Sequence, residues 1–198
     1  MKHLIRLGIL FTFIIFSAVA ASAQTEKSSD YTIDQYFNLL TSKQLPILDK
    51  YKNRGSIVKE VDYQNRYILL AQDEWKGWGE MVLFDKKGGG HLVVVTQYDC
   101  TQKYPSYPYF YRSRCAGDIK FLELSGKTLV EAKDVAPDVK KLMLYGFYEK
   151  KTKQFADSDD KLIYELPRER KDVLIKLAGE QVYSLVWNGE KFEGDYVK

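Results

Sequence analysis

Hydrophobic and polar positions alternate in two different ways along this chain, and the change falls near Gly55. Before it, Ile33, Tyr36, Phe37 and Leu40 follow the i, i+3, i+4, i+7 spacing of one buried helical face. Thr32 stands three residues before Gln35, the spacing of a capping box, so a helix is predicted to start there. Pro46 suits the first turn of a second short helix, with Ile47 and Leu48 turned inward.

After Gly55 the apolar runs shorten and fill with β-formers. Ile57-Val58, Tyr67–Ala71, Met81–Phe84 and Leu92–Tyr98 read as strands. Turn signals separate them at Trp75-Lys76-Gly77-Trp78-Gly79 and at Lys86-Lys87-Gly88-Gly89-Gly90. Ile119–Leu124 and Thr128–Glu131 form a hairpin about Ser125-Gly126, and Pro137 opens a short helix with Val139, Leu142 and Met143 on one side. Residues 149–161 are a charged loop. Val173–Leu177, Val182–Trp187 and Phe192–Val197 are three further strands, joined by turns at Gly179-Glu180 and Asn188-Gly189. The second turn carries a type I′ signal, in which both central residues take positive φ.

Helices, then many strands, then one helix and more strands is an α+β order, not an alternating βαβ one. The expected fold is a curved antiparallel sheet of roughly seven to nine strands, built from meander and hairpins, with the N-terminal helices packed on one face. A barrel-like or two-sheet arrangement is the alternative.

The first residues stand outside this pattern. Lys2 and Arg6 precede an apolar run from Leu7 to Ala20, and Ala21-Ser22-Ala23 fits a small-x-small cleavage site. Residues 1–23 therefore read as a secretory signal peptide and 24–198 as a single secreted α+β domain. The apolar run is short for a membrane span, so none is expected after cleavage. The formal charge of +3 includes Lys2 and Arg6 and no acid from residues 1–23, leaving 3 − 2 = +1 on the rest. A nearly neutral domain gives no electrostatic case for nucleic acid.

Export also sets how the two cysteines read. In an oxidising compartment Cys100 and Cys115 are most simply a disulfide. The segment they bracket holds Tyr104, Tyr107, Tyr109, Phe110 and Tyr111 with Pro105, Pro108, Arg112 and Arg114. Tyr107, Tyr109 and Tyr111 share one face of an extended backbone, while the prolines argue against a central strand. Tyrosine offers a large ring at low entropic cost, and arginine adds bidentate or stacking contacts. The segment is either a recognition surface, with Trp75 and Trp78 extending it, or a flap whose rings cover the sheet.

Other chemistry is sparse. His91 is the sole histidine after residue 23 and follows three glycines, so it reads as a surface turn residue without a triad around it. Glu74 and Glu80 flank Trp75 and Trp78, a pattern that suits a glycoside-cleaving carboxylate pair if both acids face one gap. Asp157-Ser158-Asp159-Asp160 offers oxygens to calcium, but the loop pattern then puts Leu162 where glycine is needed and Arg168 where a bidentate glutamate is needed. Gly88-Gly89-Gly90 lacks the Gly-Lys-Ser/Thr ending of a phosphate cradle. No metal or cofactor is expected.

The run Leu162-Ile163-Tyr164-Glu165-Leu166-Pro167-Arg168, followed by Leu185-Val186-Trp187-Asn188-Gly189-Glu190-Lys191-Phe192-Glu193, resembles the ending of small secreted proteins of the Bacteroidota of unknown function. That resemblance implies a periplasmic or extracellular protein of a Gram-negative bacterium. It carries over a Trp-Asn-Gly-x-x-Phe hairpin as a fold element and no catalytic residue. The reading that results is a non-enzymatic secreted binding or interaction domain, its partner a glycan, an envelope component or a protein. A carbohydrate-active hydrolase using Glu74 and Glu80, or a structural accessory subunit, is the alternative.

Overall fold

The computed structural model describes residues 31–51, 53–73, 77–99, 116–139, 162–169, 172–177 and 180–196. Helix α1, Ile33–Leu39, begins where the capping box predicted. The Thr32 N–H donates to Gln35 Oε1 at 2.6 Å, and Thr32 Oγ1 accepts from the Gln35 N–H at 3.4 Å. The helix ends against Arg54, whose guanidinium donates to the Phe37 carbonyl at 2.8 Å and to the Leu40 carbonyl. A cation on those last carbonyls satisfies acceptors that have no partner within the helix. Pro46–Lys50 is a 3₁₀ helix, and Arg54–Ile57 a single turn, α2, that the sequence pattern did not anticipate.

Among the described residues ten antiparallel strands follow: β1 Val58–Asp62, β2 Tyr67–Asp73, β3 Gly77–Asp85, β4 His91–Asp99, β5 Ala116–Ser125, β6 Thr128–Glu131, β7 Leu162–Glu165, β8 Asp172–Leu177, β9 Glu180–Trp187 and β10 Phe192–Tyr196. They form two sheets, β1-β2-β3-β4-β5-β6 and β10-β9-β8-β7, neither closed. The single curved sheet expected from the pattern is thus corrected to the two-sheet alternative. Gly77-Trp78-Gly79, read as part of a turn, belongs to β3.

Period-two alternation sorts the large sheet's side chains. Ile68, Leu70, Met81, Leu83, Val93, Val95, Leu122 and Leu129 share one buried cluster with Ile33, Tyr36, Phe37, Leu40 and Leu45. The neighbouring positions, Tyr67, Val82, Phe84, Leu92 and Val94, share a second cluster with Tyr164, Val173, Ile175, Leu185, Trp187 and Phe192 of the smaller sheet. The two sheets come closest where β5 passes β7. A Cβ on Gly117 would lie 2.5 Å from the Leu162 carbonyl oxygen and 2.8 Å from Tyr98 Cε1, so no side chain fits there.

The turn between β9 and β10 departs from its type I′ signal. Trp187 pairs with Phe192, the Asn188 N–H donates to the Lys191 carbonyl at 3.1 Å, and of Asn188 and Gly189 the glycine alone has positive φ, +98°. Asn188 Oδ1 instead accepts from the Glu190 and Lys191 N–H groups at 2.9 and 3.0 Å. Asparagine is present for this side-chain turn, not for tolerance of left-handed backbone.

Candidate functional site

The strand order places the chain's connections at opposite ends. At one end Asp62 pairs with Tyr67, Asp85 with His91, Ser125 with Thr128 and Trp187 with Phe192, all joined by short turns. At the other, Asp73 pairs with Gly77, Trp78 with Tyr98, Asp99 with Ala116 and Leu177 with Glu180. Strand β4 ends at Asp99 and β5 begins at Ala116 at this second end, and β7 begins at Leu162 beside Gly117.

Trp78 is the predicted binding residue whose surroundings are described. Its indole stacks on Tyr98 across the β3–β4 ladder, centroids 4.4 Å apart and planes 22° off parallel. Tyr98 is fully buried. Its hydroxyl accepts from the Tyr164 N–H at 2.6 Å and donates to the Tyr164 carbonyl, so one side chain occupies both backbone groups of a β7 residue. Burial pushes the Tyr98 phenol well above its ordinary pKa, and pushes that of Tyr164 up to about 12.

Glu80 follows Trp78 on the same face of β3. Its Oε1 accepts from the Tyr67 hydroxyl at 2.8 Å and its Oε2 from the Leu166 N–H at 2.9 Å. The carboxylate straps the chain after β7 to the large sheet. Arg168 then folds back, its guanidinium 4.7 Å from the centre of the Tyr67 ring and held by Glu60 in a fork of 2.7 and 3.0 Å. Thr96 lies directly across the ladder from Glu80, fully buried, and its hydroxyl has no hydrogen-bond partner among the described residues. Of the pair suggested for glycoside cleavage, Glu80 therefore spends both oxygens on structural contacts, and Glu74 lies outside the described residues.

Burial raises the Glu80 pKa above its ordinary 4.5, against the Leu166 and Tyr67 hydrogen bonds, which pull it down, and nearby Glu165 raises it further. A raised folded-state pKa means that the native protein holds the proton more tightly than the unfolded chain. The stabilisation is complete below 4.5 and is lost as pH rises through the folded value. Glu80→Gln removes this titration. Urea unfolding across that window should show the variant gaining on the wild type by about 1.4 kcal/mol per pH unit, then levelling off. A pH-independent difference would mean that Glu80 does not titrate in this way.

His91 is a correction. It is buried, not a surface turn residue: Nδ1 lies 3.3 Å from the Tyr36 hydroxyl and Nε2 3.3 Å from Asp85 Oδ1. It fastens α1 to the β3–β4 turn. Sequence reasoning had no signal for this, because Tyr36 stands 55 positions away.

Cys100, Cys115, Tyr104, Tyr107, Tyr109, Tyr111, Arg112, Arg114, Trp75 and the Asp157–Asp160 run lie outside the described residues, as do residues 1–23. Among the described residues no helix is long and apolar enough to cross a membrane, and no group of His, Cys, Asp and Glu is placed to hold a metal ion.

No family model matches this chain, and neither does any curated protein. Among solved structures, a domain of an uncharacterized protein from Porphyromonas gingivalis W83 superposes with a TM-score of 0.48 at 11% identity, over 83% of this chain and 98% of that one.

Proposed function

We propose that this chain is an exported, non-enzymatic binding domain whose recognition surface is the end of the sandwich that bears segment 100–115. The observation that carries the reading is convergence. Trp78, stacked on Tyr98, stands one ladder position from Asp99 and Ala116, the two ends of the tyrosine-rich segment. Loops gathered at one end of a rigid sandwich are the usual place for binding residues. The helical residues 33–50 serve on this reading as a cover over the large sheet, opposite the small one, and their shared apolar cluster supports that role.

The ladder also supports the disulfide. Asp99 pairs with Ala116, so Cys100 and Cys115 are the sequence neighbours of two directly opposed residues. A disulfide asks for two cysteines held close together, and attachment to one rung of the ladder favours that. A cross-link there ties the two ends of the segment together and lowers its freedom before binding. The expected partner is a glycan or protein of the envelope or exterior.

The test uses the oxidised chain from residue 24 onward. Binding to immobilised envelope glycans and envelope proteins is compared with that of a variant carrying Tyr104, Tyr107, Tyr109 and Tyr111 all changed to Ser. At least a tenfold loss of affinity with unchanged thermal unfolding is expected. Equal binding by the variant, or none by the wild type, overturns the reading.

A further inference from the structure

At the opposite, short-turn end lies a cleft of about 440 Å³. It is lined by Val82 and Phe84 of β3, by Pro167-Arg168 after β7 and by Trp187–Gly189 of the β9–β10 hairpin. The volume falls within the range of about 300–1,000 Å³ typical of small-molecule sites. We propose that this cleft binds a small ligand bearing a carboxylate on an apolar body.

Charge decides the class. The lining includes three cations, Lys86, Lys87 and Arg168, against one carboxylate, Asp85. Asp85 already accepts from Arg66 and faces His91. The acids that pair with the rim cations, namely Glu123 with Lys86, Glu190 with Lys87 and Glu60 with Arg168, are not part of the lining. An ammonium has three donors and a guanidinium five, so one carboxylate each does not exhaust them. These pairs are half-exposed, where ion pairs are worth little and a ligand anion readily shares the cation. Arg168 is the best placed of the three. Its fork with Glu60 and its seat on the Tyr67 ring fix the guanidinium plane before any ligand arrives.

The rest of the cleft asks for an apolar body. Val82, Phe84 and the edge of Trp187 come from the second buried cluster, and the Trp187 Nε1–H is already spent on the Asp85 carbonyl at 2.7 Å. A bare anion would leave those apolar side chains uncovered, and a neutral apolar molecule would leave the spare donors of the three paired cations without a further acceptor.

The site is independent of the tyrosine-bearing end, so its test separates the two readings. Phenylacetate, benzyl alcohol and inorganic phosphate are titrated into the intact chain from residue 24, following backbone amide shifts. Phenylacetate should saturate, shifting Val82–Lys87 and Trp187–Gly189, and should bind at least tenfold more tightly than benzyl alcohol or phosphate. Lys87→Ala and Arg168→Gln should each weaken it several-fold without moving the benzyl alcohol affinity, while the four-tyrosine variant should bind it normally. Because Arg168 also touches Tyr67, Lys87→Ala, on the exposed turn, carries the decision if Arg168→Gln fails to fold. No saturation, equal affinity for benzyl alcohol, or phosphate binding as tightly as phenylacetate would each overturn the proposal.

Discussion

Replacing Trp187 by Ala should lower the free energy of unfolding by about 3–5 kcal/mol, the cost of deleting a large buried aromatic. Trp187 is 6% exposed and lies at the junction of both sheets. Its ring stands 4.9 Å from Phe192, its ladder partner, and 6.0 Å from Phe84 on the large sheet. Its Nε1–H caps the Asp85 carbonyl at the end of β3. Alanine leaves a cavity between the layers, beside the edge-to-face pair of Phe84 and Phe192. It also strips the carbonyl of its partner. Trp187→Phe keeps most of the ring and loses the donor, so it should cost about 1–2 kcal/mol. Urea unfolding of both variants gives the measurement. A loss under about 1 kcal/mol for Trp187→Ala would show that the β9–β10 hairpin is not what fastens the small sheet to the large one.

The second large effect is expected from a single oxygen. Tyr98→Phe preserves the ring and its stack on Trp78 but leaves the buried N–H and C=O of Tyr164 without their partner. Each stranded group costs about 1–3 kcal/mol, so the loss for the two should reach about 2–6 kcal/mol, beyond that of an ordinary tyrosine hydroxyl. Hydrogen exchange provides the sharper readout. The Tyr164 amide should lose protection while Val94, in the middle of β4, keeps its own relative to the lowered global stability. Uniform loss everywhere, or none, would remove the hydroxyl from its assigned role.

Which parts of this architecture were legible in the sequence follows from the range of the forces involved. Thr32 and Gln35 settle the start of α1 within one turn, and the capping box forms as the spacing predicts. The alternation of Leu92 to Val95 gives β4 two buried faces, and both are used. Strand β7 was not read as a strand: it has four residues, of which Tyr164 alone is buried, and the Tyr98 hydroxyl that anchors it comes from 66 positions away. The division into two sheets turns on such distant contacts and on the bare backbone of Gly117, and a local pattern contains neither. The same holds at the candidate site. Trp78 was conspicuous as an aromatic in a glycine-bearing turn signal, but its stacking partner and the shared end of the sheet emerge only from strand order. Glu80 was singled out for its neighbours in sequence, whereas its surroundings depend on Leu166, 86 positions on.

The docking of the β9–β10 hairpin on the β3–β4 turn also sets a timetable. Lys87 donates to the Gly189 carbonyl at 2.9 Å, joining positions about a hundred residues apart. Until residues 162–196 arrive, Val82, Phe84, Leu92 and Val94 lack most of the apolar layer they meet in the finished fold. Contacts that span so much chain are slow to close. A chain made from its N-terminus onward can therefore bury one face of the large sheet early, since the first cluster lies wholly within residues 33–129, while the other face waits. The small sheet is then the part that closes last, against a surface already laid out for it.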